Sequence, residues 1–443
     1  MTLPEPYYTD AQVTLYLGDC RDILAAMESV SVDSIVTDPP YDLTSGKRGG
    51  SGEASLNADS PAGRSRIGTG GGFMGQAWDS TGVAFDPETW RACLRVLKPG
   101  GHLLAFGGTR TYHRLACAIE DAGFEIRDSL HWIYAQGFPK SLDVSKAIDK
   151  AAGAQRVVTG SGPFASRRPR ADHASQGVTF ADDGYVRPAG HALTAPATPD
   201  AARWSGYGTA LKPAHEPIVL ARKPLSGTVA QTVLEHGTGA LNIDGCRVGT
   251  GGQLRWERPR DMGYSGGSDA GHVAAMSATE GRWPPNILLS EEAAEEMDRQ
   301  SGVTTSPPVG SIARTTGGNT IGTFAHPGRE PSPNGHGDSG GASRFFPVFR
   351  YEAKAGTGER PKGDEGTGHP TVKPLALMRW LIRLVTPPGG LVLDPFAGSG
   401  TTGEAATIEG FRAVLVEKHA PYADLIVRRL DKPIQPVLFG EAS

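Results

Sequence analysis

Residues 391 to 403, Leu-Val-Leu-Asp-Pro-Phe-Ala-Gly-Ser-Gly-Thr-Thr-Gly, constrain what this chain can fold into more than any other stretch. A short apolar run ending in an acid reads as a buried strand, and the glycines that follow lead into a helix. Small residues there let the backbone approach a ligand closely, while the helix start presents unpaired N–H groups to it. The pattern predicts a cofactor cradle, although an ordinary strand-to-helix turn satisfies a lone glycine-rich motif equally well. A second apolar run, Val32 to Thr37, delivers Asp38-Pro39-Pro40-Tyr41 at its end, where open parallel sheets place their ligands.

Around these two motifs the chain alternates strand and helix. Val13 to Leu17 reads as a strand ending at Gly18-Asp19-Cys20, with Asp19 placed to cap a helix over residues 21 to 28. From Asp86 a helix is expected to run to Lys98, with Trp90, Leu94 and Leu97 on one face and Pro99-Gly100-Gly101 as its stop. His102 to Phe106 and Phe124 to Trp132 follow as strands around a helix from Thr111 to Ala122, and Trp90 and Trp132 are expected in the core. A helix from Leu375 to Val385 precedes the glycine-rich loop. After it, Ala413 to Glu417 reads as a strand and Tyr422 to Leu430 as the last helix. Glu417 lies about twenty residues past the turn, where a carboxylate can accept from ribose hydroxyls. The expected fold class is α/β, a doubly wound, mostly parallel sheet.

The 443 residues exceed one typical domain, and the 60 glycines and 34 prolines require long irregular stretches between core elements. Residues 44 to 72, Gly/Ser-rich with Lys47, Arg48, Arg64 and Arg66, read as a loop that is either a lid beside the site or a solvated linker. Between about 150 and 345 the periodicity fades, leaving ordered islands at Leu211 to Leu220 and Gly281 to Leu289. Arg167, Arg168, Arg170, Arg203, Trp204, Tyr207, Arg255, Trp256, Arg258 and Arg260 lie in this span. They suit phosphate contact and base stacking, or equally a solvated loop. A formal net charge of -4 means that any polyanion contact must come from such local patches. Cys20, Cys93, Cys117 and Cys246 form no CxxC pair and imply no metal. Neither a signal segment nor a membrane-spanning run is read, so a soluble cytoplasmic protein is expected.

Asp38-Pro39-Pro40-Tyr41 followed far downstream by Asp394-Pro395-Phe396-Ala397-Gly398-Ser399-Gly400-Thr401-Thr402 resembles the amino-group DNA methyltransferases, which methylate adenine N6 or cytosine N4. With the tetrapeptide first and the loop last, the order resembles the family's β arrangement, in which the target-recognition segment lies between. His369-Pro370-Thr371-Val372-Lys373-Pro374 strengthens the resemblance. It implies a Rossmann-like fold, S-adenosylmethionine as cofactor and double-stranded DNA as substrate. Monomer and homodimer stay open. Asp38, Pro39, Pro40 and Tyr41 are then the catalytic residues. Asp19, His369, Thr371, Lys373, Asp394, the loop from Pro395 to Thr402 and Glu417 are the cofactor-binding set. The implied domains are residues 1–150 (catalytic half), 151–344 (inserted recognition region) and 345–443 (cofactor half).

The chemistry agrees with these residue types. An exocyclic amine is a poor nucleophile because its lone pair is delocalised into the ring, and acceptors at Asp38 and the Pro39 carbonyl can draw it toward tetrahedral geometry. Tyr41 offers a face to a flipped base. Carbon-5 methylation instead needs a cysteine that in those enzymes follows proline, whereas the four here follow Asp, Ala, Ala and Gly. Asp-Pro-Pro-Tyr looks more like the family's adenine enzymes, whose cytosine counterparts more often carry Ser at the first position, so the resemblance implies adenine N6 ahead of cytosine N4. An RNA or protein substrate, or a DNA-binding protein without catalysis, are the competing readings.

Overall fold

The computed structural model describes residues 2–42, 81–135, 137, 141–161, 192–249, 281–305, 338–349 and 372–431. The chain falls into two compact units, one of Met1–Gln136 with Ala214–Ser443 and one of Gly137–Pro213. None of the helices in the described residues is long and apolar enough to cross a membrane.

The first unit is built on a sheet of ten strands among the described residues. In chain order the strands are β1 (Tyr8–Thr9), β2 (Val13–Leu17), β3 (Val32–Thr37), β4 (Leu97–Phe106), β5 (Glu125–Ile133), β6 (Val158–Ser161), β7 (Ala192–Thr194), β8 (His215–Arg222), β9 (Ile287–Ser290), β10 (Thr304–Thr305), β11 (Ser339–Gly340), β12 (Val348–Phe349), β13 (Leu391–Asp394) and β14 (Arg412–Glu417). The sheet order is β1-β2-β14-β13-β3-β4-β8-β5-β9-β12, while β6 pairs with β7 and β10 with β11. Neighbours run parallel except at β1/β2 and on either side of β8, which is antiparallel to both β4 and β5. The doubly wound, mostly parallel sheet expected from the alternation is what forms.

All six residues of β3 are buried, as befits an interior strand covered on both faces. Its polar members are satisfied: Asp33 accepts from Lys98 Nζ at 2.6 Å and from the Leu391 N–H at 2.7 Å, and Ser34 bonds Thr386 at 2.8 Å. Alternate side chains feed two cores. Val36, Leu104, Ile218 and Val392 join the helix Leu375–Val385 on one face. Ile35, Leu103, Val219 and Leu393 join Trp90, Cys93 and Ile119 on the other. Each fully buried large side chain contributes roughly 1.5–3 kcal/mol, so the two layers fix the sheet from both sides. Trp90 and Trp132 are core, as expected.

Two local expectations shift. The helix opening at Asp86 stops at Val96, and Leu97 already belongs to β4. Pro99-Gly100-Gly101 is therefore an irregularity inside the strand, where the partners of β3 jump from Leu97 to His102. Gly100 sits at φ 76°, and a Cβ on Gly101 would lie 2.9 Å from the Asp33 carbonyl oxygen, so glycine is required there to let the strand continue.

The second shift concerns the span 151–344. His215–Arg222 is an interior strand of the main sheet and Ile287–Ser290 another strand of it, so this span is not a single insert outside the catalytic fold. The helices Pro199–Arg203 and Val229–His236 flank β8 in the chain, but the strand enters antiparallel to both of its neighbours and so stands outside the parallel crossover pattern. The second unit, Gly137–Pro213, carries the helices Val144–Ala151 and Pro199–Arg203 and the β6/β7 pair. Buried Asp149 ties it together, accepting from Arg156 at 2.6 Å, from the Ala197 and Thr198 N–H groups at 3.0 Å and from Thr198 Oγ1 at 2.7 Å.

Candidate active site

β2, β14, β13, β3 and β4 run parallel and adjacent, so their carboxyl ends and the loops leaving them lie along one edge. Between β13 and β3 the winding reverses, since the chain leaves β13 for β14 on one side and β3 for β4 on the other. A crevice opens at such a switch point. Antiparallel β8 brings its first residues, His215 and Glu216, to this same edge.

On the β13 side stands the glycine-rich loop. Asp394 is buried and accepts from Thr37 Oγ1 at 2.6 Å, Thr402 Oγ1 at 2.5 Å and the Phe396 N–H at 3.0 Å. Burial pushes its carboxyl up to about 6 against the pull of those three donors, and the Asp38 charge adds to the rise. The carboxylate thus fastens the loop to two strands from inside. Of the loop residues, Ala397 donates its N–H to the Val416 carbonyl at 2.9 Å, and the Phe396 ring lies 6.4 Å from Trp90. Gly398 and Gly400 take φ values of 54° and 77°, and a Cβ on Gly400 would lie 2.9 Å from Ile426 Cγ2. Ser399 and Thr401 share a hydroxyl contact of 3.3 Å, and the helix Thr401–Ile408 starts here.

Glu417 ends β14, its Oε2 accepting the Gly398 N–H at 2.9 Å and its Oε1 the His419 N–H at 2.8 Å. Burial pushes it up to about 7, partly countered by these backbone donors. Asp19 caps the helix Cys20–Ala26 through the Arg21 N–H at 3.1 Å and takes Lys418 Nζ at 2.9 Å, so the capping reading holds.

On the β3 side, Asp38-Pro39-Pro40-Tyr41 leaves the strand, and Thr111 Oγ1 donates to the Tyr41 carbonyl at 2.9 Å. Lys373 Nζ reaches Asp38 Oδ2 at 2.9 Å, Glu216 Oε2 at 3.0 Å and Tyr41 Oη at 3.0 Å. Tyr41 Oη donates to Glu216 Oε2 at 3.3 Å. The ammonium also lies 4.7 Å from the Phe106 ring centroid and 5.3 Å from that of Tyr41. Burial alone would discharge Lys373, but Asp38 and Glu216 outweigh it and hold its pKa above the ordinary lysine value. Burial and the same two carboxylates keep Tyr41 a neutral phenol. Asp38 Oδ1 is buried and has no hydrogen-bond partner among the described residues.

The fold therefore gathers Asp19, Asp38, Asp394, the loop and Glu417 along one edge and sets Lys373 in the acceptor cluster. His369, Thr371 and the arginines at 167, 168, 170, 255, 258 and 260 lie outside the described residues. Glu216 was not singled out from the sequence as a site residue. Its only signal was its place in the ordered island Leu211 to Leu220.

A family model described as DNA methylase matches residues 32–428. DNA adenine methyltransferase YhdJ of Escherichia coli (strain K12) is 39% identical over 101 residues, 23% of this chain and 31% of that protein. Type II methyltransferase M.ScaI of Streptomyces caespitosus is 37% identical over 82 residues, 18% of this chain and 27% of that one. The matches thus span less than a third of either relative. PvuII DNA methyltransferase (cytosine-N4-specific) superposes with a TM-score of 0.41 at 14% identity, over 96% of this chain and 88% of that one. The M1.HpyAVI–SAM complex does so with a TM-score of 0.37 at 14% identity, over 95% and 99%.

Proposed function

The chain belongs to the N6/N4-type DNA methylase family, and from that premise we propose that it transfers a methyl group from S-adenosylmethionine to an exocyclic amine of a base in double-stranded DNA, adenine N6 ahead of cytosine N4. The observation that carries this reading is Asp38 Oδ1: a buried acceptor without a partner among the described residues, in the sequence Asp38-Pro39-Pro40-Tyr41, at the switch point of the sheet. Leaving a buried acceptor unmatched costs about 1–3 kcal/mol, a cost repaid when a ligand donor arrives.

The loop side suits the cofactor. Left-handed Gly398 and Gly400 let the backbone come close, and Glu417 keeps lone pairs for ribose hydroxyls beyond the two N–H groups it already accepts. S-adenosylmethionine, when bound, supplies an electrophilic methyl on a sulfonium, whose C–S electron pair stays on sulfur as the methyl leaves. Asp38 Oδ1 and the Pro39 carbonyl hold the amine so that its lone pair is available, and Oδ1 takes the proton that the amine gives up. Tyr41 supplies a ring to a base taken out of the helix, which offsets part of an unstacking cost of a few kcal/mol.

Target reading is assigned to those parts of the span 151–344 that lie outside the main sheet. The second unit exposes the edge-on pair Trp204 and Tyr207, ring centroids 5.0 Å apart, beside Arg203. Nucleoside analysis of unmethylated duplex DNA after reaction with labelled cofactor tests the reading. N6-methyladenine is the expected product. N4-methylcytosine alone moves the target to cytosine, and label entering only RNA or protein refutes a DNA substrate.

A further inference from the structure

The acceptor tetrapeptide is not alone in the crevice. Lys373 has three N–H donors and three acceptors around it, on Asp38, Glu216 and Tyr41, so its ammonium is satisfied with nothing left over. Glu216 also receives the Tyr41 hydroxyl, so it contacts both Lys373 and Tyr41 beside Asp38. It comes from β8, whose antiparallel direction is what brings a second carboxylate to the carboxyl-end edge of a parallel sheet. Among the described residues, two carboxylates against one ammonium leave a net negative charge beside the Phe106 and Tyr41 rings.

We propose that Glu216 is a positioning residue for methyl transfer: it anchors Lys373 so that the ammonium claims Oδ2 of Asp38 and leaves Oδ1 to the amine of the target base. The proposal rests on the methyltransferase reading and deepens it. The amine gains positive character as its N–C bond forms, and its surplus proton leaves through Asp38 Oδ1. The negative charge contributed by Glu216 favours that change. With glutamine at this position the cluster is neutral, Lys373 keeps one carboxylate, and only an uncharged amide oxygen is left to hold the ammonium to the β8 side.

The test compares Glu216→Gln, Glu216→Asp, Lys373→Met and the Glu216→Gln/Lys373→Met double variant with the full chain. On unmethylated DNA, Glu216→Gln is expected to lower kcat about ten- to a hundredfold, with KM for DNA and Kd for S-adenosylmethionine within about twofold of wild type. Glu216→Asp, which keeps the charge on a shorter arm, should recover part of the loss. In thermal unfolding without substrate, the double variant should melt no lower than Lys373→Met alone, because the pair is already broken. A kcat within about twofold of wild type, or a cofactor Kd that rises as kcat falls, overturns the positioning role. Strictly additive melting shifts overturn the ion pair itself. Failure of the wild type to label any DNA would instead overturn the methyltransferase reading, and the positioning role with it, while the melting cycle still reports on the cluster.

Discussion

Thr37 Oγ1 donates to Asp394 Oδ1 at 2.6 Å across the boundary between β3 and β13, joining two motifs whose linked residues are 357 positions apart. The acceptor tetrapeptide starts at the next residue after Thr37, and the glycine-rich loop at the next after Asp394. The pairing of β3 with β13 sets the distance between the two halves of the site, and this buried hydrogen bond ties them together at the strand ends.

Thr37→Val tests that bond. It keeps the shape, removes the donor and leaves a buried carboxylate oxygen short of a partner, which costs about 1–3 kcal/mol. Urea unfolding should show that loss, and titration with S-adenosylmethionine should show a several-fold weaker Kd. An unchanged Kd would mean that Phe396 and Thr402 hold the loop without help from β3.

Asp38→Ala should abolish methyl transfer while cofactor binding stays near wild type, because the carboxylate addresses the base and not the loop. The expected loss is at least about 10²-fold in kcat. Parallel loss of cofactor affinity would place Asp38 on the cofactor side.

Gly400→Ala should act in the opposite way, raising Kd for the cofactor before it changes the chemistry. At φ 77°, with Ile426 Cγ2 only 2.9 Å from the new Cβ, the backbone or the helix Ala420–Leu430 must shift, at about 1–3 kcal/mol. Asp394→Ala should likewise weaken cofactor binding, through release of the Phe396 N–H and Thr402. Equilibrium titration beside thermal melting separates the two effects.

Asp394 and Glu417 are raised from 3.8 and 4.5 to about 6 and about 7, chiefly by burial. A carboxyl raised on folding favours the native state in its protonated form. Its contribution is fully present below the unfolded value and is lost as pH rises through the folded one. The part of stability due to this pair should therefore decline between about pH 4 and pH 7, and Glu417→Gln should remove the upper portion of that decline. Urea unfolding at half-unit pH steps measures it, and identical profiles for the two proteins would refute the assignment.

Trp204→Ala and Tyr207→Ala should weaken DNA binding by about 1–3 kcal/mol per lost base contact and leave cofactor binding untouched. Charge reversal at Arg167, Arg168 and Arg170 should flatten the salt dependence by about one unit of log–log slope per phosphate contact. Fluorescence anisotropy over a salt series reads both. Unchanged slopes would move phosphate contact elsewhere, first to the Gly/Ser-rich stretch after Tyr41.

The sequence by itself determined whatever depends on contiguous residues. The strand, loop and helix from Leu391 onward, the delivery of Asp38 to Tyr41 by Val32–Thr37, the helix Leu375–Val385 and the acid closing β14 all follow from local periodicity and backbone requirements. Tertiary structure alone decided the partners. Asp394 looked free to meet a ligand and instead spends its oxygens on Thr37, Thr402 and Phe396. Lys373, assigned to the cofactor set by resemblance, reaches Asp38 and Glu216. Glu216 and Tyr41, 175 positions apart, meet because β8 enters the sheet antiparallel beside β4. Strand direction and strand order decide which end of a segment faces the crevice, and both are set by long-range pairing that leaves no mark on the local pattern of either partner.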